Sequence, residues 1–256
     1  MKTITFSIIT VTYNAESTVE STLNSVAEQT CDDYEHLIID GASTDRTLEI
    51  VEAAKGKARR KVISEPDGGL YDAMNKGISH ASGRFLIFLN SGDRFHSADT
   101  LKIIKEAIEN NPDADIIYGQ TDLVDSEGRF IAKRHLDAPS TLTLKDFSRG
   151  MVVCHQAFVV NKEIAPFFSL KYRFSADYEW CILCLQHSRK NVYTGCVLID
   201  YLVEGLSTKH RSKSLRERFT IMSTYYGFWP TLWRHFGFIG RFRRHQRELK
   251  KLRTKN

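Results

Sequence analysis

The sequence predicts an α/β protein in which a mostly parallel sheet is flanked by helices. Short apolar runs alternate with segments of helical period over residues 1–120, the pattern of strand–helix–strand units. Each apolar run ends in a small polar cluster, as strands do where they deliver the chain to one edge of a parallel sheet. After Gly205 the composition turns basic and aromatic, which predicts a helical C-terminal extension.

The elements follow in order. Residues 6–11 are apolar and β-branched and form the first strand. Residues 17–29 carry Val19, Leu23 and Val26 at helical spacing, with Ser17 as the expected N-cap and Glu20 three positions on. Residues 36–39 are the second strand, and residues 45–54 a helix with Leu48 and Val51 on one face. A short strand at 62–63, a helix over 70–81, a strand at 85–89, a helix centred on 101–108 and a strand at 116–118 complete the alternation. Beyond it, residues 120–134 read as a hairpin turning at Asp125-Ser126-Glu127-Gly128, because Asp, Ser and Gly form turns. Strands at 157–160 and 197–199 bracket an apolar helix over 178–187.

At 256 residues, 42% hydrophobic and 26% charged, the chain is long enough for one core. The division expected is a domain over 1–208, in two halves (1–120 and 121–208), followed by an extension over 209–256. No run approaches the ~20 apolar residues of a membrane-spanning helix. The N-terminus lacks a signal-peptide layout, so the expected location is the cytoplasm. Five scattered cysteines argue against a disulfide framework, and Cys181 and Cys184 read as buried helix residues. The net charge of +5 hides an asymmetry: residues 209–256 carry 14 Lys and Arg against 2 Asp and Glu, whereas residues 1–208 carry 22 against 29. A basic tail on an acidic body predicts an anionic surface as partner.

Four turns fall side by side on one rim: Thr12-Tyr13-Asn14, residues 40–45, residues 65–69, and Asn90-Ser91-Gly92-Asp93. Any one is explained as a turn; four bearing carboxylates or amides together predict a ligand site. With their flanks (residues 10–14, 39–45, 67–77 and 88–93) they resemble the successive motifs of family 2 glycosyltransferases of GT-A fold, a Rossmann-like sheet, most closely bacterial enzymes of O-antigen and exopolysaccharide assembly. The likeness is strong over the first half and weak to about Tyr201.

The resemblance implies inverting transfer of a sugar from a nucleotide-sugar donor to a hydroxyl of a saccharide acceptor, one carried on a polyprenyl diphosphate. It implies that Thr12, Tyr13 and Asn14 line the nucleotide pocket and that Asp40 binds base or ribose with Ser43 close by. Asp67 and the glycines after it, Gly69 included, approach the diphosphate. Asp93 matches the final, metal-binding aspartate of the D-x-D motif, so that a divalent cation, Mg or Mn, is expected. The first aspartate of that motif is replaced by Asn90, whose amide oxygen can still accept a ribose hydroxyl of the nucleotide-sugar but brings no charge. Ser175-Ala176-Asp177-Tyr178-Glu179-Trp180 resembles the segment holding the general base; Asp177 is assigned that role, with a helix N-cap as its ordinary alternative and Glu179 as the other carboxylate. His155 and Gln156 resemble a segment near the acceptor, and His210 sits where a C-terminal loop reaches the diphosphate or metal.

In the tail, residues 219–242 hold nine aromatics and cations follow from Arg241 onward, the composition of a helix lying on an anionic bilayer. No nucleic-acid motif is present, and a helical cap on the core is the plainer reading. The resulting expectation is a peripheral protein of the inner membrane face. Three rivals remain. A sugar-phosphate nucleotidyltransferase needs a Gly-rich, Arg-bearing loop after the first strand, where this chain has Tyr13-Asn14-Ala15-Glu16. A nicotinamide oxidoreductase needs G-x-G-x-x-G there and lacks it equally. A catalytically inactive nucleotide-binding scaffold is kept open by Asn90.

Overall fold

The computed structural model describes residues 4–54, 56, 59–203 and 211–235. Among them nine strands form one sheet: β1 (Phe6–Thr12), β2 (Tyr34–Asp40), β3 (Arg59–Ser64), β4 (Phe85–Phe88), β5 (Arg94–Phe95), β6 (Ile116–Val124), β7 (Phe130–Lys133), β8 (Phe158–Asn161) and β9 (Asn191–Leu202). Their order is β3-β2-β1-β4-β8-β6-β9-β5, with β7 hairpinned onto β6. The first four are mutually parallel; β8 then runs antiparallel to both β4 and β6. The register sets Thr12, Asp40 and Ser64 level with one another, so three strands end on one rim.

The helices are α1 (Val19–Ala27), α2 (Thr47–Ala53), α3 (Leu70–His80), α4 (Thr100–Glu109), α5 (Leu144–Phe147), α6 (Ala176–His187) and α7 (Arg211–Tyr226), and residues 228–235 are also helical. Every residue of β1 and β4 is buried, which is why they read as unbroken apolar runs. The period of two divides them between faces. Phe6, Ile8, Phe85 and Ile87 pack with Leu101, Ile104 and Ile108 of α4; Ile9, Val11, Leu86 and Phe88 pack with α3 and α6 on the other side. Trp180 of α6 anchors that second face, stacked on Phe168 at 4.9 Å and set edge-on to Phe88 at 5.4 Å. Such aromatic pairs each add about 0.5–1.5 kcal/mol beyond their area. Cys181 and Cys184 are buried free thiols of α6, as expected.

Three differences from the sequence expectations have physical causes. Thr18, not Ser17, occupies the N-cap of α1, because a turn in which the amides of Thr18 and Val19 both donate to Ala15 delays the helix. Strand β3 is three times the expected length; its charged start, Arg59-Arg60-Lys61, is tolerated on an edge strand. Strand β9 extends to twelve residues and pairs in parallel with β6, its extra residues bulging at Gly195, whose φ of 73° suits glycine.

The basic extension begins inside the core. Ile221 and Met222 of α7 are buried in the same cluster as Trp180, Ser214 bonds Ser175, and Glu217 accepts from the backbone amides of Arg173 and Phe174. Tyr225 and Tyr226, two of the aromatics expected at a membrane, turn inward to Glu179 and the Leu144 carbonyl. No helix among the described residues is long and apolar enough to cross a membrane.

Candidate active site

The rim over β1, β2 and β3 is built around one carboxylate. Asp40 is buried, and both its oxygens are taken by local donors. Oδ1 accepts from Thr12 Oγ1 at 2.9 Å and Ser43 Oγ at 2.5 Å; Oδ2 accepts from the Ser43 amide at 2.9 Å and Ser64 Oγ at 2.8 Å. Burial pushes its pKa up, but the Ser43, Ser64 and Thr12 bonds outweigh burial and leave it below the usual range. Asn14, at φ 47°, closes the rim: its amide donates to Ser43 Oγ, and its side-chain oxygen accepts from the Thr44 amide at 2.9 Å.

Above this network lies a slot. Tyr13 is 65% exposed. A Cβ on Gly41 would lie 3.3 Å from that ring and 2.5 Å from Oδ2 of Asp67, so only glycine leaves the gap between them. The other oxygen of Asp67 accepts from the Gly69 amide at 2.8 Å. Gly69 caps α3 at φ 116°, a conformation that favours glycine, and its bond to Asp67 ties the start of that helix to the slot.

A second cluster forms where the turn after β4 meets the 3₁₀ turn His155–Ala157 and the start of α6. Asp177 lies in the first turn of α6, and Ser175 holds the N-cap position expected for it. Oδ1 of Asp177 accepts from the Tyr71 hydroxyl at 3.0 Å, and Oδ2 pairs with Nδ1 of His155 at 3.2 Å. The far nitrogen of that ring, Nε2, meets Nδ2 of Asn90 at 3.3 Å. Burial raises the Asp177 pKa, but His155, then Arg218 and Tyr71, reverse this and hold the carboxyl below its ordinary value. Glu179, the other carboxylate considered, faces Tyr225 of α7 instead.

Asp93 points inward. Oδ2 accepts from Gln156 Nε2 at 2.7 Å, Oδ1 from the Leu202 amide at 3.1 Å, and the residue is 4% exposed. Burial, only partly offset by these bonds, pushes its carboxyl up to about 6. Gly92 brings no side chain, and a Cβ there would sit 2.6 Å from Leu202. The turn after β4 therefore offers an amide, a glycine and an inward carboxylate. No group of three or more His, Cys, Asp or Glu among the described residues is arranged to hold a metal. Asp93, and the unpartnered buried Oδ1 of Asn90, are the oxygen donors this turn would give a divalent cation, which ordinarily takes one or two protein carboxylates and completes its shell with phosphate oxygens and water. His210 lies outside the described residues.

Thr12, Tyr13, Asn14, Asp40, Ser43, Asp67 and Gly69 are thus gathered on one rim, while Asn90, His155 and Asp177 meet in the second cluster and Asp93 and Gln156 pair beneath it. Sequence reading missed Ser64, Tyr71 as a partner of Asp177, and Arg218. Tyr71 stands inside a quoted motif, but nothing local says that its partner lies 106 residues away.

Comparison with known proteins points one way. The family model described as "Glycosyl transferase family 2" matches residues 7–166. A "PGL/p-HBAD biosynthesis glycosyltransferase" of Mycobacterium bovis (strain BCG / Pasteur 1173P2) is 35% identical over 188 residues, covering 71% of this chain and 70% of that protein. An uncharacterized glycosyltransferase of Mycobacterium tuberculosis, MT1564, is 33% identical over 216 residues, covering 82% and 79%. Among solved structures, S. aureus TarS 1-349 in complex with UDP-GlcNAc has a TM-score of 0.71 at 20% identity, over 91% of this chain and 73% of that one. The glucosyl-3-phosphoglycerate synthase of M. tuberculosis, in complex with Mn2+, UDP and glucosyl-3-phosphoglycerate, has a TM-score of 0.58 at 16% identity, over 86% and 79%.

Proposed function

This chain belongs to glycosyltransferase family 2 and has the GT-A fold, and on that premise we propose that it transfers a sugar, with inversion, from a nucleotide-sugar to a hydroxyl of a lipid-linked saccharide in bacterial surface-polysaccharide assembly. The observation that carries the reading is an ionised, donor-held carboxylate, Asp177, beside the rim that gathers the nucleotide motifs.

The chemistry divides along that rim. The exposed Tyr13 ring offers a flat face for a base, and Asp67 keeps one carboxylate oxygen turned toward the slot. Asp40, already accepting four hydrogen bonds, serves the ribose or base by fixing Ser43 and Thr12. The Gly68 and Gly69 amides already donate to Asp72 and Asp67, so the start of α3 favours the diphosphate through the positive end of its dipole. At the other end Asp177 provides the negative charge that activation of the acceptor hydroxyl requires. A divalent cation, of the kind that the similar glucosyl-3-phosphoglycerate synthase structure holds as Mn2+ with UDP, would be held by Asp93 and would offset the charge of the leaving diphosphate; no step here depends on it.

A membrane surface remains part of the proposal. Trp229 and Trp233 are 69% and 73% exposed on the helix after α7, and the basic run follows them outside the described residues. Aromatics at an interface with cations beyond suit anionic lipid. Replacing both tryptophans by Ala is expected to reduce co-sedimentation with phosphatidylglycerol vesicles; unchanged binding would remove this surface from the proposal.

The deciding experiment for the activity is thermal unfolding with UDP, GDP and dTDP, each with and without Mn2+. A ligand that binds only the folded state raises Tm, so one nucleotide is expected to stabilise the protein. Stabilisation without turnover of any nucleotide-sugar would identify a scaffold, and no stabilisation would overturn the reading.

A further inference from the structure

Exposed apolar side chains are not scattered over this protein. Among the described residues, six of the ten large ones (Phe167, Leu170, Leu215, Phe228, Trp229 and Trp233) belong to one loop and to the two helices that follow β9. Resting on the membrane surface proposed above, we propose that the loop over residues 165–174 is a second membrane-facing element, which sets the Asp177 cluster against an anionic bilayer.

The loop sorts its side chains by direction. Phe168 and Tyr172 are buried, whereas Phe167 and Leu170 are 59% and 63% exposed. Phe168 is fixed from both sides of its backbone: its amide donates to Oδ1 of Asn75 on α3 at 2.7 Å, and its carbonyl accepts from Nδ2 of Asn75 at 2.9 Å. Its ring is stacked on Trp180. Phe167 and Leu170 therefore project from an anchored base. Apolar surface held out in this way is unfavourable in water, and an apolar partner relieves it.

The loop is joined by direct contacts to the surface already assigned to lipid. The amides of Arg173 and Phe174 donate to Glu217, and Ser175 bonds Ser214, so the end of the loop lies against the start of α7. Leu215, between those two positions, is exposed. One turn on, Phe219 meets Phe228 edge-on at 5.8 Å, and Phe228 meets Trp229 at 5.4 Å.

Charge selects the occupant. Residues 165–174 contain Lys171 and Arg173 and no acid, and α7 carries four cations against Glu217, whose carboxylate is turned to the loop amides. Lys171, Arg173, Lys213 and Arg216 are all exposed. Apolar side chains set among cations suit anionic lipid. A second copy of this chain would instead set the same cations against one another across a two-fold interface.

The inner side of the loop leads to the reacting groups. The Phe168 ring stacks on Tyr71 at 5.6 Å, and the Tyr71 hydroxyl donates to Asp177 at 3.0 Å. One loop thus turns Phe167 and Leu170 to the bilayer and Phe168 to the partner of Asp177. The lipid of an acceptor can stay in the membrane while its saccharide reaches that carboxylate.

Co-sedimentation of the full chain with vesicles of phosphatidylcholine and phosphatidylglycerol tests this. Phe167→Ser combined with Leu170→Ser is expected to weaken binding by about 10- to 100-fold, with the nucleotide-induced Tm shift unchanged. Direct contact is read from Leu170→Trp in a Trp229→Phe, Trp233→Phe background, where the one native tryptophan left, Trp180, is buried. Brominated phosphatidylglycerol is expected to quench the added tryptophan and to leave the background protein unquenched. Full binding by the double serine variant overturns the proposal and leaves Trp229 and Trp233 as the membrane contact, as does an unquenched tryptophan at position 170 in protein that sediments. A fall in solution mass on the double serine change, measured by light scattering, would give the surface to a second copy and overturn it too. Failure of the unaltered chain to bind these vesicles instead overturns the membrane reading on which the proposal rests.

Discussion

The rim around Asp40 and the cluster around Asp93 and Asp177 both bury carboxylates at strand or helix ends, yet they hold them in opposite ways. At the rim, three hydroxyls and one amide surround Asp40, from positions 3, 24 and 28 residues away. Those bonds outweigh burial, and the carboxyl stays acidic. In the second cluster Asp93 has one amide side chain and one backbone amide; burial wins, and its carboxyl rises to about 6. Asp177, in the same cluster, is returned to the charged form by a histidine, an arginine and a tyrosine. The residue type at a turn therefore does not decide its chemistry; the number and charge of the donors reaching it do.

The sharpest way to break this comparison is Asp177→Asn. If the carboxylate carries charge for catalysis, turnover is expected to fall by about 10²–10⁴-fold while nucleotide-induced stabilisation survives. Loss of both in parallel would make Asp177 a structural residue like Asp40. Next in size is the pH dependence of Asp93. Its folded-state pKa lies above its unfolded value, so the fold favours the protonated form. This group's stabilisation is full below about pH 4 and is lost as pH rises through about 6, a change on the order of 3 kcal/mol. Asp93→Asn is expected to remove that decline from Tm measured between pH 4 and 7, with or without Mn2+. A Tm change that appears only with Mn2+ would return Asp93 to the role of a metal ligand. Asp40 and Asp177 have the opposite sign: their stabilisation is present above their unfolded pKa and is lost on acidification. The smallest effect expected is for Ser64→Ala, which removes one of four bonds to Asp40 and should cost about 1 kcal/mol by denaturant titration. A cost several times larger would mean that the rim acts as one cooperative network.

The same contrast explains what the sequence revealed. The alternating strands and helices of residues 1–120 were legible because central strands are apolar on both faces and their helices keep one apolar stripe. The rim was legible because its partners are turn residues next to those strands. The second cluster was only half legible. Asp177, His155 and Asn90 were each singled out, but not as one hydrogen-bonded row, because periodicity carries no information about contacts 65 or 106 residues apart. Asp93 was assigned from its motif position, and its inward direction depends on Gln156 and Leu202, which no local pattern connects to it. The tail was misjudged in part for the reverse reason. Composition counts aromatics without distinguishing Tyr225 and Tyr226, which complete the core, from Trp229 and Trp233, which face outward.

The Leu202 amide that holds Asp93 ties the end of β9 to the turn after β4. The nucleotide rim is complete in sequence by Gly69, whereas the tie from Asp93 spans 109 residues and α7 must still dock its Glu217 beside α6. The nucleotide-facing rim is thus drawn from one short stretch of chain, whereas the second cluster closes only when segments more than a hundred residues apart meet, and because β1 and β2 bury their apolar side chains with Trp180 and Ile221 the two must be completed together.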